Sequence, residues 1–287
     1  MHPRAGLNAN GRKIPALAKG RLERGTCNFL FSGEQRKATS EKRQTMNYAS
    51  AKNHASAKVV VSLSGGMDSA VCAALAAREF GAGAVAALHI SYGQRTEARE
   101  QTAFLGICER LGIRRRLIVR TPFFRAIGGS ALTDEQIAVP QAGADIGAQI
   151  PVTYVPFRNA HFLSAAVSWA EVLGADIIYV GAVQQDSSGY PDCRPEFYRA
   201  FNEAVRSGTR EGRIRIETPL IALRKSQIVT RGLELGAPFD LTWSCYSRDD
   251  QACGTCDSCV LRLRAFAAAG AADPISYLSQ AIVQDFS

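Results

Sequence analysis

From Lys58 onward, short apolar runs alternate with longer segments whose apolar residues recur every three or four positions. Val59-Val60-Val61-Ser62-Leu63 is too short for a helix and rich in β-branched residues, the signature of a buried strand. The segment behind it has helical spacing, starting near Asp68 and running through Cys72, Leu75 and Ala76. Ala84–Ile90 predicts the next strand, and Arg116–Val119 another. Between them Glu97–Leu111 predicts a helix with Phe104, Leu105, Cys108 and Leu111 on one face. Residues 121–150 hold neither period and carry Gly128-Gly129, Pro140 and Gly143, which predicts a mobile excursion over the site. Asn159–Leu173 predicts a helix, with Asn159 able to cap it and Phe162, Leu163, Ala166, Val167 and Ala170 at core spacing. Asp176–Val180 is a short strand ending at Gly181, and Pro195–Val205, Ile214–Ile216 and Ser226–Leu235 supply helix, strand and helix.

Strands separated by helices predict an α/β fold, doubly wound around a mainly parallel sheet. This domain is expected over residues 58–235, followed by a small C-terminal subdomain over 236–287. Ligands of such sheets bind beyond the carboxyl ends of the strands. Three polar segments fall on that edge: Ser64–Ser69, Tyr92–Arg95 and Gly181–Asp186.

A chain of 287 residues with 46% hydrophobic content can build one large domain and a small one. No apolar run reaches the eighteen residues that a membrane-spanning helix needs, and the N-terminus lacks the apolar centre of a signal peptide, so a cytoplasmic location is expected. The net charge of +8 suggests a polyanion partner until its distribution is examined. Residues 1–57 hold eleven Lys/Arg against three Glu, whereas residues 58–287 balance at 23 of each sign. The excess lies in a basic tail without periodicity, for which disorder is expected; a targeting peptide or a start at Met46 are the alternatives. A neutral body is poor support for a nucleic-acid grip.

The richest chemistry follows the first strand. In Ser64-Gly65-Gly66-Met67-Asp68-Ser69 two glycines allow a sharp turn and close approach to a ligand, and the amides of the loop and first helical turn converge on one point. The loop reads as a phosphate cradle; the plainer reading is a Ser/Gly turn with Asp68 as helix cap. It is not a Walker A loop, because the required spacing and lysine are absent. Near the other end, Cys245, Cys253, Cys256 and Cys259 include two overlapping C-x-x-C steps. Four thiolates satisfy a tetrahedral zinc ion, and a site filled by four protein ligands is structural rather than catalytic. A redox pair or an iron–sulfur cluster are the competing readings. Cys72 and Cys108 fall on helix core faces and read as buried small hydrophobes, and Trp243 as packing beside the cysteines.

Six motifs occur in order: S-G-G-M-D-S, Tyr92-Gly93-Gln94-Arg95, Val155-Pro156-Phe157-Arg158-Asn159, Asp186-Ser187-Ser188-Gly189-Tyr190-Pro191-Asp192-Cys193-Arg194, Thr242-Trp243-Ser244-Cys245-Tyr246 and the Cys253–Arg262 run. Together they resemble the 7-cyano-7-deazaguanine synthases of the queuosine pathway, members of the N-type ATP pyrophosphatase superfamily, over about residues 58–270. The resemblance implies an adenine nucleotide alpha hydrolase-like fold and ATP-dependent conversion of 7-carboxy-7-deazaguanine and ammonia to the nitrile, through adenylated intermediates, with release of AMP and pyrophosphate. It implies that Leu63, the loop Ser64–Ser69 with Gly65, Gly66, Met67 and Asp68, and the turn Ala70-Val71-Cys72 hold ATP with Mg²⁺ at the pyrophosphate. Asp68, Lys225 and Arg158 are the candidate catalytic residues, and Arg95, Asp186, Tyr190 and Asp192 the candidate substrate contacts. The zinc ligands would be the four C-terminal cysteines, and the family commonly forms homodimers. Two positions depart from its pattern: Thr96 stands where His is usual, and Phe157 where a small residue is usual. A tRNA-modifying ligase of the same superfamily and a zinc-knuckle nucleic-acid-binding regulator are the alternatives.

Overall fold

The computed structural model describes residues 57–143, 146, 149–184 and 189–278. The expectations for the tail and for Asp186 lie outside the described residues. Five strands, β1 (Val59–Ser62), β2 (Val85–Ser91), β3 (Arg115–Arg120), β4 (Ile177–Val180) and β5 (Arg215–Glu217), form one sheet in the order β3-β2-β1-β4-β5. Every pairing is parallel, with Val60 opposite both Ala86 and Ile178. The α-helices among the described residues are α1 (Met67–Phe80), α2 (Glu97–Arg110), α3 (Phe123–Ile127), α4 (Arg158–Leu173), α5 (Pro195–Gly208), α6 (Lys225–Leu235) and α7 (Asp257–Ala268).

Side chains alternate across the sheet, so it carries a core on each face. Val59, Val61, Val85 and Ala87 join Val71 of α1, Phe104 and Ile107 of α2, Ile228 of α6 and Phe266 of α7. Val60, Ala86, Leu88 and Ile178 join Leu163 and Ala166 of α4 and Tyr198 and Val205 of α5. Burial on both faces explains why β1 and β2 are continuous apolar runs rather than alternating ones. The chain order reverses between β1 and β4, and a doubly wound sheet opens its ligand crevice at such a switch point, beyond the carboxyl ends of the strands.

Three local expectations are corrected. Leu105, expected on the buried face of α2, is 39% exposed, and Ile107 takes the core position instead. Asn159 does not cap α4: Phe157 holds the cap position in a left-handed conformation (φ 56°), and Arg158 opens the helix. Asp68 does not cap α1 either, because Gly66 occupies that position and frees the carboxylate for the cavity.

Candidate active site

A cavity of about 280 Å³ opens over the carboxyl ends of β1 and β4. Its floor is the loop after β1. Gly65 has φ 95°, and a Cβ there would stand 2.7 Å from the carbonyl oxygen of Glu100. Gly181, at the end of β4, leaves room for α1: a Cβ there would lie 2.8 Å from the Ser69 amide nitrogen and 2.9 Å from the Asp68 carbonyl carbon. Glycine at 65 and 181 thus lets two chain segments press against the start of α1 and fix its free amides towards the cavity. The hydroxyls are organised around the same turn. Ser69 Oγ donates to the Gly66 carbonyl at 2.9 Å, Gly66 N–H donates to Ser64 Oγ at 3.2 Å, and the two serine hydroxyls meet at 3.0 Å.

One wall is cationic. Lys225, the first residue of α6, forms an ion pair with Asp68 Oδ2, while Asp68 Oδ1 is buried without a hydrogen-bond partner among the described residues. That oxygen and the cradle amides suit a cation-bound polyphosphate, which brings negative charge for the amides and an ion for the carboxylate. Arg158 lies under three aromatic rings, its guanidinium carbon 5.1 Å from the Tyr92 centroid, 5.6 Å from Phe162 and 5.9 Å from Tyr190. Nη1 donates to Tyr92 Oη at 2.9 Å, and Nε is buried with no partner. Among the described residues no carboxylate stands within ion-pair distance of it; burial opposes its charge, while the nearby Tyr92, Tyr190 and Asp192 favour it, and the cage presents a cation to the cavity.

The predicted contacts divide. Tyr190 lines the cavity, its hydroxyl donating to Thr153 Oγ1 at 2.9 Å. Asp192 is turned from the cavity towards α4, where its Oδ2 accepts the Asn159 N–H at 3.0 Å; burial raises its carboxyl above the usual range. Arg95 lines the cavity but spends its donors on the excursion, bonding the carbonyls of Ala131, Asp134 and Ile137 at 2.7–2.9 Å. His89, in β2, points into the core: its Nδ1 is 3.1 Å from the Leu63 carbonyl and its ring packs on Phe104, with burial pushing it towards the neutral form. His161 is exposed among the rings of Phe123, Phe124 and Phe157.

Sequence reasoning missed Glu100, which lines the cavity from the first turn of α2. Thr96 Oγ1 donates to one of its oxygens and Gln94 Nε2 to the other, both at 2.8 Å. Burial pushes its carboxyl up to about 7 in spite of those two bonds. Its four-residue spacing from Thr96, behind the Y-G-Q-R turn, was the available signal.

The cysteines converge as their spacing predicted. All four sulfurs lie within 4.8 Å of one another, and Cys253 and Cys259 are 3.8 Å apart. The edge of a sulfur tetrahedron around a metal ion is about 3.8 Å for bonds of about 2.3 Å, so the cluster can hold one. Amides of Thr255 and Cys256 donate to Cys253 Sγ, and that of Cys253 to Cys245 Sγ, at 3.3–3.4 Å. Such donors stabilise thiolates. Trp243 packs in the same cluster, as expected, and Arg99 covers its ring.

A parallel sheet of this order with a cavity at its switch point and a four-cysteine cluster able to hold a metal defines a doubly wound α/β protein. Within that class the chain belongs to the queuosine biosynthesis protein QueC family, whose model matches residues 58–270. It is 74% identical over 220 residues to the 7-cyano-7-deazaguanine synthase of Koribacter versatilis, covering 77% of this chain and 93% of that protein. The synthases of Acidobacterium capsulatum and Chlorobaculum tepidum are 65% and 57% identical, each over 77% of this chain and 96% of theirs.

Proposed function

We propose that this chain makes 7-cyano-7-deazaguanine from 7-carboxy-7-deazaguanine, ammonia and ATP, releasing AMP and pyrophosphate. The relatives that carry that name at 55–74% identity are the observation on which this rests. The site geometry suits the chemistry. The substrate carboxylate attacks the α-phosphate of ATP, ammonia displaces AMP to give the amide, and a second adenylation at the amide oxygen lets AMP depart as the nitrile forms. No side chain need become covalently attached, so the protein's task is alignment and charge stabilisation. The Ser64–Ser69 cradle takes the pyrophosphate, and Asp68 would hold a Mg²⁺ ion that offsets the phosphate charge. Lys225 answers the charge that builds on the leaving phosphates, and Arg158 receives the substrate carboxylate. Tyr190 offers a ring face for the base. The four cysteines hold structural zinc.

Free ammonia is the donor in this reading, and a cytoplasmic homodimer the working form. Ile127, Ile150, Val152 and Phe157 are each more than half exposed, apolar surface that a second subunit would cover. No helix among the described residues is long and apolar enough to cross a membrane.

Purified protein incubated with ATP, Mg²⁺, ammonium and 7-carboxy-7-deazaguanine is expected to yield the nitrile and AMP by mass spectrometry. AMP formed only with another carboxylate or with tRNA would reject the substrate. Replacing Gly181 with Ala is expected to weaken ATP about tenfold to a hundredfold, read by calorimetry. The added methyl strikes backbone rather than a yielding side chain, and overpacking of this kind costs about 1–3 kcal/mol.

A further inference from the structure

Glu100 is a cavity-lining carboxylate for which positioning and charge stabilisation leave no task. Its main chain abuts the cradle, since its carbonyl oxygen is the atom that a Cβ on Gly65 would strike. Its side chain shares a cavity with Ser64, Arg158 and Lys225. Each carboxylate oxygen already accepts one neutral donor, Thr96 Oγ1 or Gln94 Nε2. These bonds fix the group without neutralising it, and each oxygen keeps a lone pair. No ion pair restrains it among the described residues. The charged and titratable groups that act on it are Arg158 and Tyr92 across the cavity and Glu97 on its own helix. Burial raises its proton affinity, so ionising it costs the folded state stability as pH climbs from about 4.5 through about 7. A structural prop would gain nothing from that cost.

We propose that Glu100 is the proton acceptor for the nitrogen nucleophile. This rests on the adenylating reaction proposed above. The lone pair of ammonia forms the C–N bond at the adenylated carboxyl carbon, and the C–O bond to AMP breaks with its electron pair leaving on the phosphate oxygen. The proton shed by the new C–N nitrogen passes to Glu100 and then to solvent. A carboxyl held near neutrality is matched to this transfer, because it is ionised often enough to accept and basic enough to do so readily.

The test separates the two halves of the reaction. Substrate-dependent exchange between ATP and pyrophosphate, without ammonium, reports adenylation alone; ammonium-dependent product formation reports the nitrogen step. In Glu100→Gln, exchange is expected within about threefold of the unaltered protein, while the nitrogen step falls by on the order of 10²-fold or more. Glu100→Asp is expected to recover at least about tenfold of that loss. The unaltered protein should show an acid limb near the raised proton affinity of Glu100, with rates expressed per unprotonated ammonia, and Glu100→Gln should lack it. Equal losses in both halves, or an unchanged nitrogen step, would overturn the proposal. Should Glu100→Gln not fold, a missing acid limb in the unaltered protein would do the same. Absence of exchange in the unaltered protein would reject the adenylating reaction itself, and the role of Glu100 with it.

Discussion

Replacing Cys256 with Ala is expected to release the metal and lower the melting temperature by more than about 10 °C. Cys256 is 2% exposed and sits with Cys245, Cys259, Trp243 and Ala252 in a small core of its own. Three of the six buried residues of this core are cysteines, so a metal ion held by the thiols would supply a large share of its cohesion. Structural zinc sites are worth about 10–16 kcal/mol in small peptides. Even about 4 kcal/mol of that would move the melting point of a domain this size by roughly 8–16 °C. The damage would also spread. The Trp243 N–H donates to the Gly65 carbonyl at 2.9 Å, and the Ala142 N–H donates to the Thr255 carbonyl at 2.7 Å. The cradle and the excursion therefore both hang on the cysteine knuckle. Metal content by mass spectrometry together with a thermal melt checks this. Cys193→Ala is the control, because Cys193 lies outside the cluster and should leave the metal in place. A Cys256→Ala protein that keeps both its metal and its melting point would show the centre to be dispensable.

The sheet was legible because its strands are buried on both faces. Val59–Val61 and Ile177–Val180 are too short for helices and rich in β-branched residues, and α1, α2 and α4 carry clear apolar spacing, whereas the five-residue α3 lies in the segment read as irregular. Boundaries drifted by one to three residues, as at α4, where Phe157 caps through backbone conformation rather than a side chain, and at the end of α5, which runs on to Gly208. Leu105 lies one position beyond Phe104 and so off the stripe at i, i+3, i+4 and i+7 that Phe104, Ile107, Cys108 and Leu111 form, which is why Ile107 and not Leu105 is in the core. Cysteine spacing was decisive, since thiols at such intervals have few uses and the sulfurs do meet. Site chemistry was less legible. Arg95 looks like a ligand residue by type, yet only the fold reveals three carbonyls waiting for it. Glu100 was invisible because a glutamate in the first turn of an amphipathic helix is ordinary. Its significance comes from Gln94, Thr96 and burial, which are products of tertiary structure.

Replacing Arg158 with Met is expected to abolish turnover and yet raise the melting temperature. The guanidinium is wrapped by Tyr92, Phe162 and Tyr190 and makes one hydrogen bond to a neutral hydroxyl, with Nε left unsatisfied. A buried cation with no carboxylate in contact has only Asp192 and Glu100 at longer range to offset its desolvation cost, and an apolar side chain of similar volume removes that cost. The anion that would compensate it is the substrate carboxylate, which a planar fork can grip through two parallel hydrogen bonds. Lys at this position would keep the charge but lose the fork and its stacking on the rings. Arg158→Lys is therefore expected to lose on the order of 10³-fold in kcat/KM, equivalent to about 4 kcal/mol of transition-state stabilisation. Arg158→Met should lose at least as much while melting a few degrees higher. Steady-state kinetics on both variants, read beside their melting curves, separates a receptor from a prop. If Arg158→Met melted lower than the unaltered protein, the cage would be holding the fold together and the case for a carboxylate receptor would fail.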